Sequence, residues 1–339
     1  MLTINFEGAQ TLLTLLKSVT KGNRPTETEL QSVLTANEFF VDFYCQWEGV
    51  TPESLVETMC RFNQPDFEPL APVLSALAKG FRQAIEEIDC LQTKLDFLMT
   101  TNTSAIVDRV LAFLPRHTPL QSTIHITIDG FNGGFQHRGE MGLSLLGNIT
   151  NREQFESGIA HELHHVGFYY WAECDPIRQA VLKERSGRAV AVRHVQNLLS
   201  EGLAIFYCSP DMMRDDRMTG AYASKLAKYR QEESRLFVQA EKVLALSLNS
   251  DADFETCRRA FEVMAIDPDG ILPIAHYLGV RMIETMSQSH PQERIIECVQ
   301  SLSHFLPFYN QAAQGIGAFI YDPSVVEQFS RIFKATGAG

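Results

Sequence analysis

Five consecutive residues, His161-Glu162-Leu163-His164-His165, carry the clearest chemistry in the chain. They match H-E-x-x-H, with His161 and His165 as the outer imidazoles. On a helix, positions i and i+4 lie on one face about a turn apart. Two imidazoles so placed can share one zinc, and Glu162 beside the first can take a proton from a water at the metal.

A catalytic zinc usually takes three protein ligands and leaves one position open. Candidates downstream are Glu173, Asp175, Glu184, His194 and Glu201. Glu201 is the most informative, because it sits in Leu198-Leu199-Ser200-Glu201-Gly202-Leu203-Ala204-Ile205-Phe206, a run apolar nearly all round. An ionised carboxylate buried there is costly unless a cation or strong donors compensate it. Zinc would be such a cation; an ion pair with an arginine such as Arg193 is the alternative. Glu184 and His194 lie among Lys183, Arg185, Arg188 and Arg193, a pattern that reads as a solvated face. His164 is expected to hydrogen-bond nearby rather than to bind metal.

The elements that must position these groups follow from periodicity. Residues 1–118 read as helical, with Thr51-Pro52-Glu53 as a helix start. Leu70, Val73, Leu74, Leu77, Phe81, Ile85, Ile88, Leu91, Leu95 and Leu98 predict one long amphipathic helix or two in succession. Ser122 to Asp129 alternates Ile124, Ile126 and Ile128 with polar residues, which is a half-buried strand. A glycine-rich stretch, Gly130 to Gly139, reads slightly better as a hairpin connection than as a mobile rim, and Met141 to Leu146 suits a second strand. Phosphate binding is not expected there, since the stretch lacks a P-loop lysine and no helix start follows it directly.

Thr150-x-x-Glu153 gives a capping-box start for the motif helix, and Asp175-Pro176 ends it. The pentapeptide thus falls mid-helix. Beyond residue 177 the chain reads mainly helical, over 177–208, 215–248, 253–265, 272–287 and 292–306. The fold class expected is α+β, mainly α: a small sheet around residues 122–146 beside the motif helix, flanked by helical segments. Three regions are expected, with soft boundaries: a helical 1–118, a core 119–210, and a helical 211–339 completing the cleft.

Composition narrows the setting. The chain has 339 residues, 45% hydrophobic and 21% charged, an ordinary globular balance. Its formal net charge of −12 argues against nucleic acid or an anionic membrane as the main partner. Seven cysteines occur without a C-x-x-C pair, which suits a reducing compartment better than a disulfide framework. No basic n-region precedes an apolar run, so a cytoplasmic location is expected. No G-x-S-x-G is present, and no second Glu-x-x-His occurs as a helical di-iron site would need.

With H161-E-L-H-H165 followed by the buried S-E201-G-L-A helix, the sequence resembles the gluzincin branch of zinc metallopeptidases. The strand, glycine-rich loop and strand before the motif also look like the edge of a zincin sheet. His276-Tyr277-Leu278-Gly279-Val280-Arg281-Met282 is similar to a stretch with Tyr, Gly and Met in a poorly characterised group of bacterial zinc-dependent peptidases. The resemblance covers about residues 120–290.

It implies a zincin-like core, Zn2+ held by His161, His165 and Glu201, and Glu162 as general base in peptide hydrolysis. Tyr277 would be the oxyanion donor, with His276 and Arg281 as substitutes, and the partner a peptide or protein substrate. A zincin-fold metal-binding or interaction protein without turnover is the competing expectation.

Overall fold

The computed structural model describes residues 2–64, 66–69, 71–129, 134–146, 151–213, 220–268 and 271–334. Its backbone contacts divide the chain into two units, Met1–Asp108 with Leu120–Val166, and Arg109–Pro119 with Gly167–Gly339. The class is α+β and mainly α, as the sequence predicts.

The first unit opens with strand β1 (Leu2–Asn5) and helices α1 (Glu7–Thr20), α2 (Glu27–Ala36), α3 (Glu38–Tyr44) and α4 (Pro52–Arg61). α5 (Pro72–Glu86), α6 (Ile88–Leu98) and α7 (Thr103–Leu111) follow, then β2 (Ser122–Thr127), β3 (Gly134–His137), β4 (Glu140–Ser144) and α8 (Arg152–Cys174). The long leucine stripe resolves into two helices, α5 and α6, because the chain turns at Glu87 (φ −104°, ψ 15°). Leu77, Phe81, Leu91, Leu95 and Leu98 from that stripe are all buried, whereas Leu70 lies outside the described residues.

A four-stranded sheet runs β1-β2-β4-β3. β1 and β4 flank β2 in parallel, and β3 pairs antiparallel with β4 at the edge. In β2 the isoleucines do what their alternation predicts: Ile124 and Ile126 are buried beside Met141 and Leu143 of β4. β1 and β3 are additions to the two strands read from sequence. Both are four residues long, too short for an alternation to register. β3 and β4 form a tight hairpin whose two turn residues, Arg138 and Gly139, have φ of 50° and 79°. Positive φ at both positions is what a type I′ turn requires. The hairpin reading thus holds from residue 134 onward; residues 130–133 lie outside the described residues.

The capping box expected at Thr150 also falls outside the described residues. The observed cap of α8 is Asn151, whose Oδ1 accepts the Gln154 N–H at 3.0 Å. At the other end, Asp175 accepts the N–H groups of Ile177 and Arg178, each at 3.0 Å, and Pro176 occupies the first position of the next helix. This side chain starts one helix where the previous one stops.

In the second unit, α9 (Pro176–Leu182) leads into α10 (Gly187–Leu203), followed by α11 (Gly220–Gln231), α12 (Glu233–Leu248) and α13 (Phe254–Ala265). α14 (Ile274–Ser287), α15 (Gln292–Gln300), α16 (Phe305–Ile316) and α17 (Pro323–Ile332) complete it. α10 is the central helix and is buried nearly all round, packing on α9, α12, α13 and, most extensively, α14. Gly202 and Gly279 make the α10–α14 crossing possible. A Cβ on Gly202 would lie 2.5 Å from the Gly279 carbonyl oxygen, and one on Gly279 would collide with the Leu198 carbonyl.

The sequence reading of His194 as solvated is corrected by this packing: it is 0% exposed, on the buried side of α10. Burial pushes its pKa down from 6.5 to about 4, opposed only in part by the Ala240 backbone. Among the described residues, no helix is long and apolar enough to cross a membrane.

Two stability outcomes follow. Gly279→Ala gains ~1 kcal/mol of helix propensity but overpacks a backbone contact, a cost of about 1–3 kcal/mol. Urea unfolding should register a net loss, and an unchanged midpoint would contradict the close crossing. For His194, the unfolded chain binds the extra proton between pH 6.5 and 4. Stability is therefore complete above pH 6.5 and falls as the pH is lowered through that window. Between pH 7 and 4.5, His194→Leu should lose roughly 2–3 kcal/mol less than the parent chain; parallel curves would contradict this.

Candidate metal centre

α8 presents His161 and His165 one turn apart, 8% and 5% exposed. Their Nε2 atoms approach to 3.1 Å, with the rings at 89° to one another. Phe155, Ile159 and Leu163 bury other parts of the same helix and so fix its rotation. Two ligands bonded to one tetrahedral zinc at ~2.05 Å would lie about 3.3 Å apart, close to the observed separation.

Glu162 turns toward the sheet. A Cβ built on Gly134, the first residue of edge strand β3, would stand 2.8 Å from Glu162 Oε1. The carboxylate thus occupies the space that any other residue at 134 would fill. Sequence reading treated Gly134 as part of a turn-rich stretch and did not connect it with the motif. The one available signal was a glycine within a strand-length segment, which often marks close approach of another group.

Glu201 lies on the last turn of α10, and its side chain is 13% exposed. The expected alternative, an ion pair with Arg193, does not form: Arg193 donates to the Leu182 carbonyl at 3.1 Å. Glu201 Oε2 instead lies 3.2 Å from His276 Nε2 on α14. Immediately after α10 the backbone widens into a π-helical turn, Ala204–Cys208. Such bulges recur at functional sites because they re-aim the side chains around them.

Behind Glu201 stands a polar group that sequence reading missed. Tyr169, one turn beyond His165 on α8, hydrogen-bonds to Gln196 and Ser200 of α10. Burial and the charge of Glu201 both raise its pKa. Gln196 also accepts from Nε of Arg178 at 2.9 Å. Arg178 is 0% exposed beneath the Phe168 ring, and burial pushes its pKa down to about 10. The sequence offers no sign of this, because Arg178 sits in a short amphipathic helix like any surface arginine.

Tyr277 points elsewhere than its neighbour. Its hydroxyl donates to Glu233 Oε2 at 2.5 Å, and Arg281 Nε donates to the same oxygen at 2.7 Å. Desolvation, reinforced by Glu233, raises the phenol pKa. Of the two adjacent candidates, His276 faces Glu201 and Tyr277 faces Glu233. Of the other third-ligand candidates, Asp175 caps α9 and Glu184 accepts from Ser186.

His161, His165 and Glu201 each offer one ligand atom, and these atoms lie within 4.8 Å of one another. Among the described residues this is the one such cluster of three. Two imidazoles and a carboxylate form a borderline-hard N2O donor set, which suits zinc and leaves a fourth position for water or substrate. The seven cysteines are free thiols away from this cluster, and burial pushes Cys208 and Cys298 up to about 12.

Searches of curated proteins and of solved structures each found no match. Among protein families, residues 34–316 match the one described as "Putative zinc dependent peptidase (DUF5700)". That span extends well into the N-terminal helices, beyond the region 120–290 in which the sequence motifs lie. The match covers most of the chain, and the chain therefore belongs to this family, whose description names the metal that the His161, His165 and Glu201 donor set suits.

Proposed function

We propose that this protein is a zinc-dependent peptidase of gluzincin type, with His161, His165 and Glu201 as metal ligands and Glu162 as general base. The observation that carries the reading is the convergence of those three donors, with Glu162 next in sequence to the first of them. The family description agrees with it. Zinc, when bound, would supply Lewis acidity that polarises a substrate carbonyl and acidifies a water.

The chain's own residues do the rest. Glu162 accepts the proton of the attacking water and passes it to the leaving amine, as a carboxylate within reach of both can. Its place over Gly134 puts it beside edge strand β3, which pairs with β4 on one side. The other side of an edge strand offers backbone donors and acceptors for an added peptide strand. A substrate lying there antiparallel would pass its backbone across Glu162. A zincin-like core is thus part of the proposal.

The Tyr277 hydroxyl, the oxyanion donor the sequence suggests first, is engaged by Glu233, whereas the His276 imidazole lies against Glu201. The same histidine also orients the carboxylate, a role outer partners commonly play at zinc sites. Tyr169 with Gln196 and Ser200 would hold the other side of that carboxylate's surroundings.

Removing the base should separate chemistry from binding. Glu162→Gln is expected to retain zinc while kcat on unstructured peptide falls by about 10²–10⁴-fold. Undiminished cleavage would rule out this base. Glu201→Ala should weaken zinc binding by more than the roughly 10–100-fold that loss of an outer partner costs. Chelator competition measures this, and an unchanged zinc affinity would remove Glu201 from the ligand set.

A further inference from the structure

Edge strand β3 lies between two helices of the first unit. Successive side chains of a strand point to opposite faces of its sheet. Gly134 turns to the Glu162 side, where a Cβ would stand 2.8 Å from Glu162 Oε1, and Phe135 turns to the other side, against α3. A glycine has no side chain with which to hold its place over the carboxylate. A four-residue strand at a sheet edge also has little pairing of its own. What fixes β3 must come from the Phe135 face.

That face is closely built. Phe135 is 8% exposed, and its partner across the ladder is Gly142 of β4. A Cβ on Gly142 would lie 2.4 Å from Phe135 Cζ, so the ring occupies the space above that glycine. An aromatic ring laid across a strand glycine pins the register of the pair. Three phenylalanines of α3 surround the ring. Phe43 and Phe39 stack on it with centroids 3.7 and 5.7 Å away, and Phe40 meets it edge to face at 5.6 Å.

Two residues further along β3, on the same face, His137 adds a polar tie. Its Nε2 lies 2.5 Å from Asp42 Oδ2 on α3, and its Nδ1 lies 3.0 Å from the Gln46 amide nitrogen. A neutral imidazole satisfies both, with Nε2–H donating to Asp42 and Nδ1 accepting from Gln46.

We infer that Phe135, seated on Gly142 and backed by α3, is a positioning residue for the substrate. It sets the place of β3 relative to Glu162, and with it the place of a peptide strand added to β3. The inference rests on the peptidase reading for the role of that strand. It brings α3, remote in sequence from the motif, into the reaction.

Hydrogen exchange on the zinc-loaded Glu162→Gln chain, read by mass spectrometry, reports strand addition without turnover. A pool of unstructured octapeptides should slow exchange across β3 and β4. Phe135→Ala, which removes the ring, and Gly142→Ala, which displaces it, should each abolish that protection. Gly142→Ala keeps every ring and serves if Phe135→Ala does not fold. Leu91→Ala, in the buried face of α6, should lower thermal stability yet keep the protection.

Turnover separates positioning from stability. With Glu162 intact, kcat/KM for a cleaved octapeptide should fall about 100-fold in both variants, the scale of a misplacement by an ångström. The shortest truncation still cleaved, too short to pair along β3, should be nearly unaffected. Equal losses on long and short substrates, the same loss in Leu91→Ala, or protection retained in both variants would overturn the role. So would a parent chain whose β3 gains no protection, whether or not it cleaves. Protection that both variants abolish, without any Glu162-dependent cleavage, would support the positioning role and overturn the peptidase reading.

Discussion

The rest of the structure depends on two imidazole nitrogens held 3.1 Å apart on one buried helix face. Lone pairs aimed at each other at that distance repel unless a proton or a metal ion lies between them. The helix enforces the approach, since one turn separates His161 from His165 and buried Phe155, Ile159 and Leu163 prevent the helix from rotating. With the Glu201 carboxylate offering an oxygen within 4.8 Å of both nitrogens, the three groups could hold a metal ion. The surroundings are arranged around it: Gly134 leaves space for Glu162, and the Gly202–Gly279 crossing brings His276 to Glu201.

The second constraint concerns Glu201. A carboxylate 13% exposed amid apolar residues requires nearby donors or positive charge. His276 provides a direct contact, while Tyr169 belongs to a hydrogen-bonded group with Gln196 and Ser200 that reaches Arg178. The buried arginine offers positive charge to that group without competing for the carboxylate, because its Nε and Nη1 donate to Gln196 and the Val299 carbonyl.

What the sequence disclosed, and what it did not, follows from the range of each signal. The motif helix, strand β2 and Glu201 were legible because their cues are local: an i, i+4 pair, alternating isoleucines, and a charge within an apolar run. β1 and β3 were not, because four-residue strands take their stability from long-range pairing that leaves little trace in periodicity. His194 was misread because neighbouring arginines in sequence are not its neighbours on a helix buried nearly all round. The orientations of His276 and Tyr277 were out of reach for a similar reason. Adjacent residues on α14 point about 100° apart, and only packing against α10 decides which one meets Glu201.

The most direct test of the account is X-ray absorption at the zinc edge on stoichiometrically loaded protein. The expected result is four-coordinate zinc with nitrogen and oxygen donors at about 2.0–2.2 Å, including two imidazoles and no sulfur. A sulfur shell near ~2.3 Å, or a spectrum unchanged when His161 and His165 are both replaced by alanine, would contradict it.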